Sequence, residues 1–348
     1  MKTTVIICEF NPLHSGHKKL IDYAHTFSDR VICVMSGNFT QRGLPACANK
    51  FSRATHAILS GADLVVELPT VYAVASAENF SFGGVSIANS LKADYLLFGS
   101  ECGDIDKLNA CAAMLNDPYI NQKIAEEMTK GVSYPKAVAI ATKQDILNKP
   151  NNVLGVEYLK AIEKINADIV PVTVVREDNY NGEPQEYASS GALRRNANLR
   201  NIYTYDYVTK DIDDEIVGKY KTMAAQALSI MDVNYLRRIE GVTEGLENRI
   251  FNADKTQGFE KMIDGIKTKR YTRLKLQRII LNALLNITSE TISVFKTQPP
   301  NVKALAVNEN AASLLSLANN VTDEITSRAD RFYSSLSGKQ PVSKLIKV

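Results

Sequence analysis

The chain lacks any window of about 18 uninterrupted apolar residues, the length a membrane-crossing helix needs. Its first residues also lack the basic start, long apolar stretch and small-residue cleavage site of a secretory signal. A cytoplasmic protein with no membrane partner is therefore expected. Cysteine is scarce: Cys8, Cys33, Cys47, Cys102 and Cys111 are an odd number, show no CxxC spacing and mostly lie in apolar runs, as reduced core thiols do. Missing too are a GxGxxG after the first apolar run and a GxxxxGK[ST], which argues against a dinucleotide enzyme and a P-loop NTPase. No internal repeat and no low-complexity segment is found.

With 348 residues, 45% hydrophobic and 23% charged, the chain can bury an ordinary core and has the length of two compact domains. The net charge of +3 is unevenly placed: from Asn234 onward 18 Lys and Arg stand against 11 Asp and Glu, while the preceding part is net acidic. A basic half beside an acidic half hints at a polyanion partner.

Short β-rich apolar runs at 3–8, 31–35, 63–67, 95–98 and 169–175 alternate with amphipathic stretches at 16–25, 51–60 and 77–91. This alternation predicts βαβ units and a parallel sheet, an α/β fold of Rossmann-like kind. Residues 104–142 read as further helix broken near Pro118 and around 131–135, and another helix runs from Pro150 to about Asn166. After a polar loop at 176–185, the serines of "YASSGALRR" can cap a short helix. The charged, turn-rich stretch 203–214 predicts a boundary, giving domains 1–205 and 206–348. The second is expected to be mainly helical and basic, with one clear helix at 274–285 that sets Leu276, Ile280, Ala283 and Leu284 on one face.

The stretch "ICEFNPLHSGHKKL", residues 7–20, follows the first strand directly. Zinc would favour its two histidines, yet a helical zinc pair usually sits four apart beside a glutamate, whereas His14 is followed by Ser15 and His17 lies three on. A core role fits poorly with the polar Asn11, Ser15, Lys18 and Lys19 around them. Phosphate binding accounts for the whole stretch: a strand ends at Glu9, Asn11 and Pro12 turn the chain, and a helix starts near Ser15 with unpaired amides at the sheet's carboxyl edge. Gly16 lets a phosphate approach the backbone, and imidazoles can donate to oxygens that gain charge during transfer.

"FNPLHSGH" resembles the HxGH signature of the nucleotidylyltransferase superfamily, and "ASSGALR", 188–194, is similar to its second motif, usually ISSTxxR, with Gly191 where threonine is usual. Further strings narrow the resemblance: "SGNFTQRGLPA" (36–46), "GADLVVELP" (61–69), "FGSE" (98–101), "NNVLGVEYLKA" (151–161), "EGLENRI" (244–250) and "TKRYTRLKLQRI" (268–279). Together they resemble the tRNA(Met) cytidine acetate ligase family over nearly the full length.

The resemblance implies an HxGH nucleotidylyltransferase domain followed by a helical domain. It also implies a two-step reaction: ATP and acetate give acetyl-adenylate and pyrophosphate, then the acetyl group passes to the wobble cytidine of elongator tRNA(Met). It implies an ATP site at Ile7, Cys8, Glu9, Phe10, Asn11, Pro12, Leu13, His14, Ser15, Gly16, His17, Lys18, Lys19 and Leu20, with Gly99, Asn152, Arg176 and Ser189. Within it His14, His17, Lys19 and Arg194 are expected to be catalytic, magnesium to accompany ATP, and no metal to be held by the protein.

Chemistry agrees with this assignment, because acetate must attack a polyanion that repels it. Gly99 ends an apolar run at the sheet edge, Asn152 could cap its helix or meet the nucleotide, and Arg176 could face cleft or solvent. Gln41 and Arg42, in a Gly-bounded polar stretch, suit a loop over the site or against tRNA. Lys50 and Arg53 could extend that basic edge or be solvated; Asp63 and Glu67 receive no role. Lys267, Lys269, Arg270, Arg273, Lys275 and Arg278, clustered around Tyr271, are expected to meet tRNA phosphates. Two alternatives are a nucleotidylyltransferase that builds a small cofactor from ATP and a non-catalytic nucleotide- or RNA-binding module. The oligomeric state is left open.

Overall fold

Val, Ile and Thr crowd the short runs of the first hundred residues, and such β-branched side chains suit a pleated, buried surface. In the computed structural model, which describes residues 1–132, 134–176, 188–243, 245–268, 270–340 and 344–348, these runs are strands. They are β1 (Thr3–Cys8), β2 (Arg30–Ser36), β3 (Leu64–Leu68), β4 (Tyr95–Ser100) and β5 (Val170–Val175). All five are parallel, in the order β5-β4-β1-β2-β3. The chain therefore leaves β1 toward β2 and later returns to its other side with β4. The carboxyl ends of β1 and β4 flank the switch point at which open α/β sheets bind ligands.

Alternation along the strands divides the core. Val5, Ile32, Val34, Val66, Leu96 and Phe98 face one cluster, with Val85 and Ile87 of helix Ala77–Ser90 and Val156 and Leu159 of helix Pro150–Lys164. Ile6, Val31, Cys33, Met35, Val65 and Leu97 face the other, covered by helices α1 (Ser15–Ala24) and α2 (Lys50–Leu59). The 104–142 stretch forms helices Ile105–Asn116, Pro118–Thr129 and Tyr134–Thr142. The Asp117 side chain accepts from the Tyr119 N–H at 2.8 Å and caps the second of these. All five cysteines are unbridged thiols.

Residues 206–348 are rich in helices but do not form a layer of their own. Their Tyr220, Leu236, Met262, Leu276, Ile280 and Leu336 belong to the same core cluster as Val5 and Ile32. They also return two strands that the sequence reading did not anticipate: β6 (Lys303–Val307) pairs antiparallel with β3, and β7 (Ile346–Lys347) pairs with β6. A run of four apolar residues after Lys303 fits a buried helix turn as well as a strand, and only the partner β3 decides it. In helix Arg273–Leu285, Leu276, Ile280 and Ala283 are buried as expected, whereas Leu284 is only half-buried. Lys269, and the polar loop after Arg176, lie outside the described residues.

Candidate active site

The turn between β1 and α1 is built from buried polar groups. Phe10 takes a left-handed φ of 45°, and the Asn11 side chain accepts from the Cys47 N–H at 2.8 Å. Three successive carbonyls of the turn are then held by the second motif and the segment behind it. Arg194 Nη1 donates to the Asn11 carbonyl. Ser190 Oγ donates to Pro12 at 3.1 Å and Thr204 Oγ1 to Leu13 at 2.7 Å. Ser189 caps the short helix Ser190–Arg195 by accepting from the Ala192 N–H at 3.3 Å. Arg200, buried, donates to the carbonyls of Leu193 and Arg194 at that helix's end, at 2.7 and 3.1 Å, and pairs with Asp214. Thr204 and Arg200 lie outside the motif strings, so the sequence reading missed them, and Ser190, inside the second motif, was given no separate role.

His14 is the N-cap of α1, and the amides of His17 and Lys18 are the first to reach its carbonyl, at 2.9 and 3.2 Å. The amides of Ser15 and Gly16 precede that first intrahelical bond, in the position where anions settle. The His14 and His17 rings stack with centroids 3.7 Å apart, and Phe10 meets His17 edge-on at 5.0 Å. The His14 N–H donates to His17 Nδ1 at 3.3 Å, which leaves the His17 ring proton on Nε2 as an outward donor. Burial lowers the His14 pKa to about 3, and Arg176 adds to that. Burial, then His14 and Arg176, holds His17 well below the ordinary imidazole value. Both are therefore neutral at pH 7. Both ring nitrogens of His14 and the Ser15 hydroxyl are buried without a partner among the described residues. Buried polar atoms without partners cost about 1–3 kcal/mol each, so such a group at a helix start points to a ligand that satisfies them.

Gly99, in β4, has an ordinary φ, and an added Cβ would stand 3.6 Å from Arg176 Cβ and 3.8 Å from its Cδ. Nothing in the fold demands glycine there, which suits close approach by a ligand. Gly103 differs, for its φ is +58° and a Cβ would lie 2.2 Å from Val175. Arg176 turns to the cleft side, with Nη1 donating to the Asn151 side-chain oxygen at 3.3 Å. The Asn152 side chain is engaged within the protein: its oxygen accepts from the Cys102 N–H at 3.1 Å and its amide donates to the Ile146 carbonyl at 3.0 Å. A cleft of about 830 Å³ opens beside it, edged by Glu101, Lys107, Lys143 and Lys149.

The rest of the 7–20 segment divides by burial. Phe10 and Leu13 are core residues, Ile7 is half-buried and packs on Gly84, and the half-buried Cys8 has its thiol 3.8 Å from the Val34 carbonyl. Lys18 pairs with Asp22 at 2.7 Å, Leu20 is half-buried, and Lys19 lies on the exposed side of α1.

The 37–48 loop joins this turn to the basic helix. The Gln41 N–H donates to Glu9 Oε1 at 2.7 Å, and Arg278 Nη1 approaches the Gln41 carbonyl at 3.5 Å. Gly43, at φ +70°, brings its backbone so near helix Arg273–Leu285 that a Cβ would lie 2.5 Å from the Arg278 nitrogen. Lys50 and Arg53 are not a basic edge. Arg53 is fully buried and donates to the carbonyls of Ala48 and Ser36 at 3.0 and 3.1 Å and to those of Glu9 and Gly37. Lys50 is buried against Glu67 and Asp330 at 2.7 and 2.6 Å, so Glu67 has a structural partner. Asp63 accepts from the Val31 N–H at 2.8 Å.

Of the expected tRNA contacts, Arg42, Lys267 and Arg270 are exposed. Arg273 is engaged by Glu260 and Asp264, Lys275 lies 4.9 Å over the Tyr271 ring, and Arg278 is half-buried against the 37–48 loop. Tyr271 itself is buried, its hydroxyl donating to the Thr243 carbonyl at 2.7 Å, which removes it as a stacking platform.

The profile of the HIGH Nucleotidyl Transferase family matches residues 1–344. The tRNA(Met) cytidine acetate ligase of Clostridium perfringens (strain ATCC 13124) is 34% identical over 349 residues, covering 90% of this chain and 86% of that protein. The protein of the same name from Acetivibrio thermocellus is 35% identical over 353 residues, covering 91% and 85%. The crystal structure of Thermotoga maritima TmcAL bound with alpha-thio ATP matches with a TM-score of 0.88 over 100% of both chains, at 25% identity.

Proposed function

We propose, from the premise that the chain belongs to the HIGH nucleotidyl transferase family and within it to the tRNA(Met) cytidine acetate ligases, that it is a ligase activating acetate with ATP and acetylating tRNA. An acetate oxygen attacks the α-phosphorus of ATP, the bond to the β-phosphate oxygen breaks, and pyrophosphate leaves. The exocyclic amine of the wobble cytidine in elongator tRNA(Met) then attacks the acetyl carbonyl. The amine gives up a proton and AMP departs.

The observation that supports this best is the set of buried polar atoms at the start of α1, on His14 and Ser15, that find no partner among the described residues, beside the Arg176 charge. Phosphoryl oxygens would accept from the His14 ring N–H and the Ser15 hydroxyl. Neutral imidazoles donate N–H bonds to oxygens that gain charge in the transition state, without having to lose a proton first. Arg176 and the first amides of α1 supply positive potential for the departing pyrophosphate. Arg194, with Ser190 and Thr204, keeps the turn carbonyls fixed, so it acts through the backbone of the turn and through its own charge. Gly99 leaves room for the nucleoside. Magnesium would accompany the triphosphate and share the neutralisation of its charge. Residues 1–205 would carry activation and 206–348 most tRNA contacts. Among the described residues no helix is long and apolar enough to cross a membrane, and a cytoplasmic site of action fits a tRNA substrate.

Incubation with labelled ATP, acetate and unmodified elongator tRNA(Met) tests the reading: AMP, pyrophosphate and acetylcytidine should all form. His17→Ala is expected to slow acetate-dependent pyrophosphate release about a hundredfold or more, near 2.7–4 kcal/mol of barrier, with tRNA affinity nearly unchanged. AMP formation that does not depend on acetate would reject the ligase.

A further inference from the structure

Arg176 ends β5, and strand geometry alone leaves its guanidinium a choice between solvent and the cleft over β1. Its backbone is fixed, for its N–H continues the ladder by donating to the Ser100 carbonyl at 2.8 Å. Its side chain runs past Gly99, where a Cβ would make ordinary contact with it at 3.6 Å. Its Nη1 then donates to Asn151 Oδ1 at 3.3 Å.

The orientation of that Asn151 amide is itself determined. Nδ2 and the backbone N–H of Asn151 both donate to Glu101 Oε1, at 2.9 and 3.2 Å, while the Asn152 N–H donates to Glu101 Oε2 at 2.8 Å. A flipped amide would set its oxygen against the Glu101 carboxylate and its NH₂ against the guanidinium, losing both bonds. Glu101, immediately after β4, thus caps helix Pro150–Lys164 and in the same act aims Asn151 at Arg176. An amide orients a guanidinium without neutralising it, which a carboxylate at the same place would do.

Resting on the function proposed above, we infer that Asn151 is a positioning residue for ATP: held by Glu101, it sets the Arg176 guanidinium toward the imidazole pair and so toward the triphosphate. It acts through Arg176 and touches no reacting atom. The field of Arg176 at both His14 and His17 is consistent with this placement.

A double-mutant cycle tests it, because residues that act as a unit give non-additive losses. Asn151→Ala, Arg176→Ala and the double variant are compared by kcat/KM for acetate-dependent pyrophosphate release and by Kd for a non-hydrolysable ATP analogue. Asn151→Ser runs alongside; its hydroxyl can still donate to Glu101 but cannot span to Arg176. Each Asn151 variant should weaken ATP binding and lower kcat/KM about tenfold in the parent, and change both by less than about twofold once Arg176 is alanine. Equal losses in the two backgrounds, or full activity in Asn151→Ser, would overturn the inference. A parent that binds the analogue yet releases no pyrophosphate would refute the ligase reading instead, and the binding cycle would still decide the role of Asn151.

Discussion

His14 and His17 enter the site uncharged because the turn that presents them is buried and Arg176 stands near. In the unfolded chain both would titrate near 6.5, whereas in the folded protein burial holds His14 at about 3 and His17 well below its ordinary value. Between those limits the unfolded state binds more protons, so stability is full above about pH 6.5 and is lost as the pH falls. Each histidine should contribute on the order of 1 kcal/mol per pH unit to that loss. Urea unfolding at pH 7.5 and 5.5 checks it: His14→Ala should show the shallower dependence. Gly99 permits the complementary test. Gly99→Ala adds a Cβ whose nearest described atoms are at ordinary contact distance, so stability should change by about 0.5 kcal/mol or less while ATP affinity, measured calorimetrically, falls about tenfold. Unaltered affinity would move the nucleoside away from β4.

Helix α2 shows how an element can mislead when read alone. Its two cations, one turn apart, look like a solvated edge, yet both point inward. Arg53 gathers the carbonyls at the ends of β1 and β2, and Lys50 ties α2 to Glu67 of β3 and to Asp330 of helix Glu324–Ser337. Burial pulls the Lys50 pKa down, but the attraction of Glu67 and Asp330 outweighs it and the group stays charged. Lys50→Met would leave the Glu67 carboxylate buried against Gly37 without its contacting counter-charge and should cost about 3–5 kcal/mol in denaturant unfolding. Lys50→Met with Glu67→Leu should recover most of that loss. If Lys50→Met were neutral, the pair would not hold the strand ends.

Across the whole molecule, the basic segment is arranged differently from its appearance in sequence. Glu260 and Asp264 hold Arg273, and the 37–48 loop contacts Arg278, which leaves Lys267 and Arg270 as exposed cations of that cluster among the described residues. Lys267→Ala with Arg270→Ala should therefore weaken tRNA binding and reduce the slope of log affinity against log salt by about 1.5, as measured by filter binding at several ionic strengths. Acetate-dependent pyrophosphate release without tRNA should be unaffected. The 37–48 loop also links helix Arg273–Leu285 to Glu9, so the basic segment and the turn after β1 contact the same loop.

The sequence by itself determined β1 to β5, the helices between them and the HxGH turn. Each rests on a period of two or near four and on capping groups a few residues apart, and such short-range chemistry is complete within its own window. It could not determine that Arg194 would grip the Asn11 carbonyl across 183 positions, that β6 would close the sheet against β3, or that Lys50 would be buried. Those outcomes depend on which chain ends meet in space. A cation in an amphipathic stretch is solvated or interred according to whether a carboxylate arrives from a distant element to meet it, and only the tertiary structure brings that partner.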